Sequence, residues 1–339
     1  MINLRGFDSN NFLENAKTVY GLRTEVEKLA DELSKKKYKN IIMIGQGGTV
    51  FTWTPIAIYL RHLADIPVYV ETAAEMVLKK DMPYLSADSL ILTNYVSGDT
   101  TEILDAVRYC NKKGYKVYGL TGKADSPLAQ MLEKPIYHPV GGTDGSYLLY
   151  YFLTLKIYHN WGFFDDYDRW ADQMVNIGKN LLKFREDFDP RAKSIAEKYY
   201  NEPLTMLVAS GMTWAATELF SMCILEEMQW VRTRPIRSSD FFHGPLEIVD
   251  NTLPVFVIKG EDEYRPLDER VERFVKQYTN KVEVIDTKDF VFDGIDDEYR
   301  VMLTPMIFSS ILDDRLAYWY HMYRGHDLDF RRYYRQFDY

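Results

Sequence analysis

The chain has 339 residues, 46% of them hydrophobic and 27% charged, which excludes a disordered or fibrous protein and provides for two domains with substantial cores. Its 41 Lys+Arg stand against 50 Asp+Glu, a formal net charge of −9. That balance excludes a broad nucleic-acid surface, while a local basic pocket stays compatible with it.

From the N-terminus, Phe12, Ala16, Val19, Leu22, Val26, Leu29 and Leu33 recur at three- and four-residue spacings, so a helix is predicted over residues 10–37. Lys35, Lys36 and Lys37 fall at its C-terminal end, where cations suit the helix dipole. Short apolar runs then alternate with helical segments. Strands are predicted at Ile41–Gly45, Val68–Glu71, Ser89–Tyr95, Tyr115–Leu120 and Pro135–His138, with helices over Thr54–Ala64, from near Thr100 and from Ser126. This alternation implies a parallel sheet with helices on both faces, and the apolar strands fit burial on both faces. Residues 144–182 read as mostly helical and strongly aromatic, a natural bridge between two domains. Pro190 is expected to open a second unit: helix Ala192–Tyr200, strand Leu204–Ser210, a long helix Thr213–Trp230, strands Pro254–Lys259 and Val282–Ile285 around helix Leu267–Tyr278, and a closing helix Thr304–Tyr323. The second half repeats the first in outline without a residue-level repeat, so two similar doubly wound α/β domains are expected.

Ligands of open parallel sheets bind at the carboxyl ends of strands where strand order reverses. Three loops of the first unit fall there: Gly45-Gln46-Gly47-Gly48-Thr49, Ser97-Gly98-Asp99-Thr100-Thr101-Glu102, and Thr121-Gly122-Lys123 with Asp125-Ser126-Pro127. Hydroxyls and backbone N–H groups at a helix N-terminus can hold a phosphate without a lysine. The plain alternative is that Ser97 or Thr100 caps the helix, with Glu102 in its first turn. In the second unit Glu227 is followed sixteen residues later by His243-Gly244-Pro245-Leu246-Glu247. A glutamate and a histidine suit proton transfer near neutral pH, the alternatives being a solvated helix residue beside Glu226 and a capping or core histidine. No histidine shows metal-ligand spacing, and no metal or organic cofactor is expected. The distant Cys110 and Cys223 read as buried thiols of a reducing compartment. Acidic residues from Asp8 to Glu32 argue against a secretory signal, and no run approaches the ~20 apolar residues that cross a bilayer. A soluble cytoplasmic protein with no membrane or nucleic-acid partner is expected.

Gly47-Gly48-Thr49, Ser97-Gly98-Asp99-Thr100, Ser126-Pro127-Leu128 and His243-Gly244-Pro245-Leu246 resemble the successive motifs of sugar isomerase (SIS) domain proteins. From about residue 38 onward the pattern is similar to the isomerase half of glucosamine-6-phosphate synthase. Residues 237–260 and Arg331-Arg332-Tyr333-Tyr334 resemble most the fructoselysine-6-phosphate deglycase branch. The resemblance implies two tandem doubly wound, flavodoxin-like SIS domains. It divides the chain into an N-terminal helix (1–37), a first SIS domain with the phosphate loops (38–165), a helical connector (166–190), a second SIS domain with the catalytic pair (191–323) and a C-terminal tail (324–339). It further implies that Gly48, Thr49, Ser97, Gly98 and Thr100 hold a sugar 6-phosphate and that Glu227 and His243 are catalytic. In relatives the histidine comes from the neighbouring subunit, which implies a homodimer or higher homo-oligomer.

Two departures bear on chemistry. No lysine follows Lys288, so the Schiff-base lysine of the synthase has no counterpart, and an arginine cannot replace it. Tyr95 stands where the phosphate loop of relatives has a small hydroxyl residue. The expected reaction is therefore cleavage of a 6-phosphorylated Amadori-type sugar–amine conjugate, a fructoselysine, glucoselysine or fructose-asparagine 6-phosphate, to a hexose 6-phosphate and free amine. An amino-sugar-phosphate deaminase, an aldose–ketose isomerase and a non-catalytic sugar-phosphate sensor stay open as alternatives. The tail either contributes amine-side contacts through Arg331, Arg332, Tyr333 and Tyr334 or packs on the dimer partner.

Overall fold

The computed structural model describes residues 4–79, 81–138 and 142–337, so the ends of the chain named above, residues 1–3 and 338–339, lie outside the described residues. Its packing divides into two units, residues 14–175 and residues 176–337 joined by 4–13.

The first unit begins in α1 (Ser9–Gly21) and α2 (Arg23–Leu33), two helices where one was predicted. A five-stranded parallel sheet follows, built from β1 (Asn40–Gly45), β2 (Val68–Thr72), β3 (Ser89–Tyr95), β4 (Val117–Thr121) and the two-residue β5 (Ile136–Tyr137). Its order is β2-β1-β3-β4-β5, all parallel, so strand order reverses between β1 and β3. The connecting helices are α3 (Gly48–Leu63), α4 (Ala73–Leu78) and α5 (Thr101–Lys112). Side chains alternate across a strand. Ile42, Ile44 and Ile91 accordingly join Ala73, Met76, Ile103, Val107 and Cys110 in a core on one face. On another side the Trp53 indole donates to the Ile44 carbonyl (3.2 Å) and its ring meets Tyr150 of α6 (Thr143–Asn160) at 3.8 Å. The aromatic α6 and α7 (Tyr167–Gln173) complete the unit, with Trp170 buried against Phe152 at 5.4 Å.

The helix predicted from Ser126 is absent. Ser126 and Leu128 each start a single turn, and the chain then leaves through Glu133, whose N–H donates to the Val117 carbonyl (2.8 Å), and Lys134 at φ 53°. Returning to the sheet edge in time to form β5 leaves no length for a helix.

In the second unit α8 runs unbroken from Ile177 to Tyr199 with Pro190 inside it, so this proline opens no element. Proline removes a helical hydrogen bond, yet Phe184, Phe188, Ala192 and Ile195 bury one face of this helix and hold it through the break. The sheet consists of β6 (Thr205–Ala209), β7 (Thr233–Arg237), β8 (Val255–Lys259) and β9 (Val282–Asp286), in the parallel order β7-β6-β8-β9. It repeats the first sheet's 2-1-3-4 order, the flavodoxin-like arrangement. Strand β7 was not foreseen. Its Thr-Arg-Pro-Ile-Arg sequence lacks an apolar run, and as an edge strand it is only half-buried. The predicted long helix is α9 (Gly211–Leu219) continued by a π-helical stretch, Phe220–Glu226. Helix α10 (Arg265–Tyr278) packs Val271 and Val275 on Met206, Val208, Val255 and Val257. The closing helix is likewise α11 (Arg300–Phe308), a π-helical stretch (Ser309–Leu316) and α12 (Ala317–Arg324). The N-terminal segment joins this unit through the Arg185 guanidinium, which lies 4.3 Å over the Phe12 ring. Among the described residues no helix is long and apolar enough to cross a membrane.

Candidate active site

Strands β1 and β3 pair in register, Ile44 opposite Thr93, so the loops that leave their carboxyl ends are neighbours at the point of reversal. The first loop turns at Gly47 (φ 56°, ψ −127°), a conformation that excludes a β-carbon, and Gly48 starts α3. Gln46 pins this loop sideways by accepting from the Ala74 N–H (3.1 Å). No side chain caps α3. Helix α5 likewise begins after Thr100, whose side chain makes no cap hydrogen bond. The capping alternative for Thr100 is therefore not the arrangement found. Ser97 is instead hydrogen-bonded to Asp99 across the turn.

Gly98 (φ 69°) is buried and brings the loop against the third loop, where its carbonyl accepts from the Leu128 N–H (3.1 Å). Ser126 bonds Thr121 Oγ1 (3.1 Å) and the Lys123 carbonyl (2.8 Å), so it buttresses the Gly98 loop from behind. Gly48, Thr49, Ser97, Gly98 and Thr100 thus share one end of one sheet. Two helix N-termini without side-chain caps, with their positive dipole ends there, make a place for an anion.

The equivalent place in the second sheet is already filled. Asp262, after β8, accepts from the Met212 N–H (2.6 Å) at the start of α9 and from the Tyr264 N–H (3.1 Å). Burial pushes its carboxyl above the usual range. Nearby Asp268, buried in α10, accepts from Ser210 (2.7 Å) and Ser238, and burial raises it to about 6. The second sheet carries its own carboxylate where the helix starts of the first carry no side-chain cap.

Glu227 lies just beyond the π-helical stretch, its N–H bonded to the Met222 carbonyl (3.0 Å). The extra residue per turn rotates it relative to an α-helical continuation. Its Oε1 accepts from Arg331 Nε (3.0 Å), and the two side chains are 30% and 15% exposed. The helix then ends sharply, with Trp230 at φ 53°. Of the other tail residues, Arg332 stacks 4.0 Å over the Trp230 ring, and Tyr333 and Tyr334 are exposed.

His243 sits exposed on the turn that follows β7, its N–H bonded to the Asp240 carbonyl (2.9 Å) and its imidazole free of hydrogen bonds among the described residues. The buried Phe241 anchors this turn, while Gly244 takes φ 128°. Glu227 and His243 make no hydrogen bond to each other among the described residues. Sequence reasoning passed over Glu218, a partly buried carboxyl raised by burial and opposed by Arg237. Its signal was a lone charge in the apolar run Trp214–Phe220. No group of three or more His, Cys, Asp or Glu is placed to hold a metal among the described residues.

Comparison with known proteins bears on the family and the fold. The SIS domain model matches residues 32–154. The chain is 30% identical over 320 residues to fructosamine deglycase FrlB of Bacillus subtilis, covering 91% of this chain and 95% of that protein. It is 25% identical over 311 residues to fructoselysine 6-phosphate deglycase of Escherichia coli O157:H7, covering 91% and 89%. Among solved structures, a Bacillus subtilis protein assigned as a phosphosugar isomerase superposes with TM-score 0.87 at 26% identity over 93% of this chain and 97% of that one. The C-terminal domain of the Francisella tularensis glucosamine-fructose-6-phosphate aminotransferase shares the fold, with TM-score 0.80 at 17% identity over 97% and 99%.

Proposed function

The chain belongs to the SIS domain family, and on that premise we propose that it is a sugar-phosphate deglycase, which hydrolyses a 6-phosphorylated sugar–amine conjugate to a hexose 6-phosphate and a free amine. The observation that carries the phosphate half is the pair of helix N-termini without side-chain caps at the reversal point of the first sheet. Two half-charges of helix dipole and the loop N–H groups stabilise a phosphate dianion there. The deglycase half is supported by the relatives that share most of the chain's length.

In the proposed reaction His243, from the partner subunit of a homodimer, moves a proton from the anomeric hydroxyl to the ring oxygen and opens the ring. Glu227 then takes a proton from C1 as the C2 carbonyl oxygen gains one, giving the enaminol. The same carboxyl delivers a proton to C2, and the C1–nitrogen bond becomes an imine. Water adds to C1, the C1–nitrogen bond breaks with protonation of the amine, and the aldehyde of the hexose 6-phosphate remains. The substrate's own nitrogen forms the imine, so the missing synthase lysine costs this reaction nothing. The preferred substrates are fructoselysine 6-phosphate and related amino-acid conjugates, with Arg332, Tyr333 and Tyr334 flanking the amine half.

The test is a coupled assay of glucose 6-phosphate release from fructoselysine 6-phosphate, with glucosamine 6-phosphate and fructose 6-phosphate in parallel. Release from the first alone is expected, and ammonia from glucosamine 6-phosphate would move the protein to a deaminase. Glu227→Gln should lower kcat by roughly 10²–10⁴-fold with little change in substrate affinity. Near-normal turnover would remove Glu227 from the mechanism. Mixing inactive Glu227→Gln with inactive His243→Asn should restore about a quarter of wild-type activity, because half the dimers are mixed and each has one intact shared site. Persistent silence after subunit exchange would place His243 in its own chain's site.

A further inference from the structure

We propose that Arg331 is a positioning residue of this reaction, which holds the Glu227 carboxylate in one orientation from the C-terminal segment, and that Trp230 is the post to which that segment is tied. The inference rests on the reading that Glu227 performs the proton transfers. Arg331 uses two edges of its guanidinium. Its Nε donates to Glu227 Oε1 (3.0 Å), while Nη1 donates to the carbonyls of Leu328 (2.6 Å) and Phe330 (3.2 Å). Bound to its own backbone, the guanidinium is a fixed donor, and the glutamate is the partner whose freedom it removes. Among the described residues Glu227 Oε2 makes no hydrogen bond, so one oxygen is tethered and the other is left to carry a proton. An arginine does not exchange protons at working pH, so its part is orientation.

The segment is tied immediately after Glu227. Trp230 adopts a left-handed backbone, φ 53°. This conformation is strained for a side-chain-bearing residue and persists only where surroundings impose it. Here the surroundings are the tail: the Trp230 ring meets His326 at 4.4 Å and Phe330 at 5.4 Å, and Arg332 lies 4.0 Å over its face. The fully buried Gln229 donates to the His326 carbonyl (2.8 Å). The strained turn that ends the catalytic helix and the clasp that seats Arg331 are one structure.

The alternative role for Arg331, capture of the amine-side carboxylate of the substrate, predicts a different kinetic pattern. Arg331→Gln and Arg331→Lys would be assayed with fructoselysine 6-phosphate and with a fructosyl-propylamine 6-phosphate, which has no carboxylate, after circular dichroism has verified folding. Misplacing a catalytic group by about 1 Å costs up to roughly 10²-fold. The expected result is a kcat for Arg331→Gln lower by about 10–10²-fold with both substrates alike, KM little changed, partial rescue by Arg331→Lys, and a Glu227→Gln/Arg331→Gln double variant no slower than Glu227→Gln alone. Wild-type kcat in Arg331→Gln, a loss confined to KM for the carboxylate-bearing substrate, or additive losses in the double variant would each overturn the proposal while leaving the deglycase reading intact. Inactivity of the wild-type enzyme on both substrates would overturn that reading and this proposal together.

Discussion

Gly98→Ala tests whether the loop after β3 is built on close backbone approach. A β-carbon at Gly98 would lie 2.4 Å from both Cβ and Oγ of Ser126 and 3.0 Å from Thr121 Oγ1, and the residue holds φ 69°. Ser126 cannot yield by a rotamer change, because its own Cβ is one of the clashing atoms. Its hydroxyl is further held by Thr121, Lys123 and the Ala129 N–H (3.2 Å). The left-handed backbone costs about 1–2 kcal/mol for a residue with a β-carbon. Overpacking of a fixed contact adds about 1–3 kcal/mol. A loss of roughly 3 kcal/mol is therefore expected in urea unfolding, read as a lower midpoint with unchanged slope. Fructose 6-phosphate affinity, measured by calorimetric titration, should fall by at least about tenfold, the equivalent of one charge-assisted hydrogen bond. Adding Ser126→Gly removes the clash but not the backbone cost, so the double variant should recover about 1–3 kcal/mol relative to additivity. A Gly98→Ala protein within about 0.5 kcal/mol of wild type, or strict additivity with Ser126→Gly, would refute the close-approach argument.

Asp268 provides a test of pH dependence. Burial raises its carboxyl from 3.8 to about 6 against the pull of Ser238 and Ser210. The folded protein therefore holds a proton between about pH 6 and pH 4 that the unfolded chain has lost, and stability from this group falls as pH rises through that window. The difference corresponds to up to about 3 kcal/mol. Asp268→Asn should thus gain about that much relative to wild type between pH 4 and pH 7 in urea midpoints, and a pH-independent difference would refute the assignment. Burial pushes the Cys110 thiol up to about 12. At pH 8 without denaturant, iodoacetamide should therefore modify the half-buried Cys223 and spare Cys110, as peptide mass spectrometry would read. Comparable labelling of both would contradict the burial.

What the sequence determined by itself was what short-range physics encodes. Strands buried on both faces must be apolar runs, so β1, β3, β6 and β8 were legible to within a residue or two. The turns after β1 and β3 were legible because glycines and hydroxyls at a helix start act over three or four residues. Edge and exit features were not. Strand β7 exists because it pairs with β6, residue for residue from Thr205 opposite Thr233, and its own polar sequence carries no strand signal. Pro190 read locally as a boundary, whereas packing along α8 carries the helix through it. Only the tertiary structure decided that the second sheet's anion position is filled by Asp262, or that the tail reaches Glu227 through Arg331 from 104 residues away. Ion pairs and buried carboxyls take their energies from neighbours that folding supplies, and those neighbours have no fixed spacing along the chain.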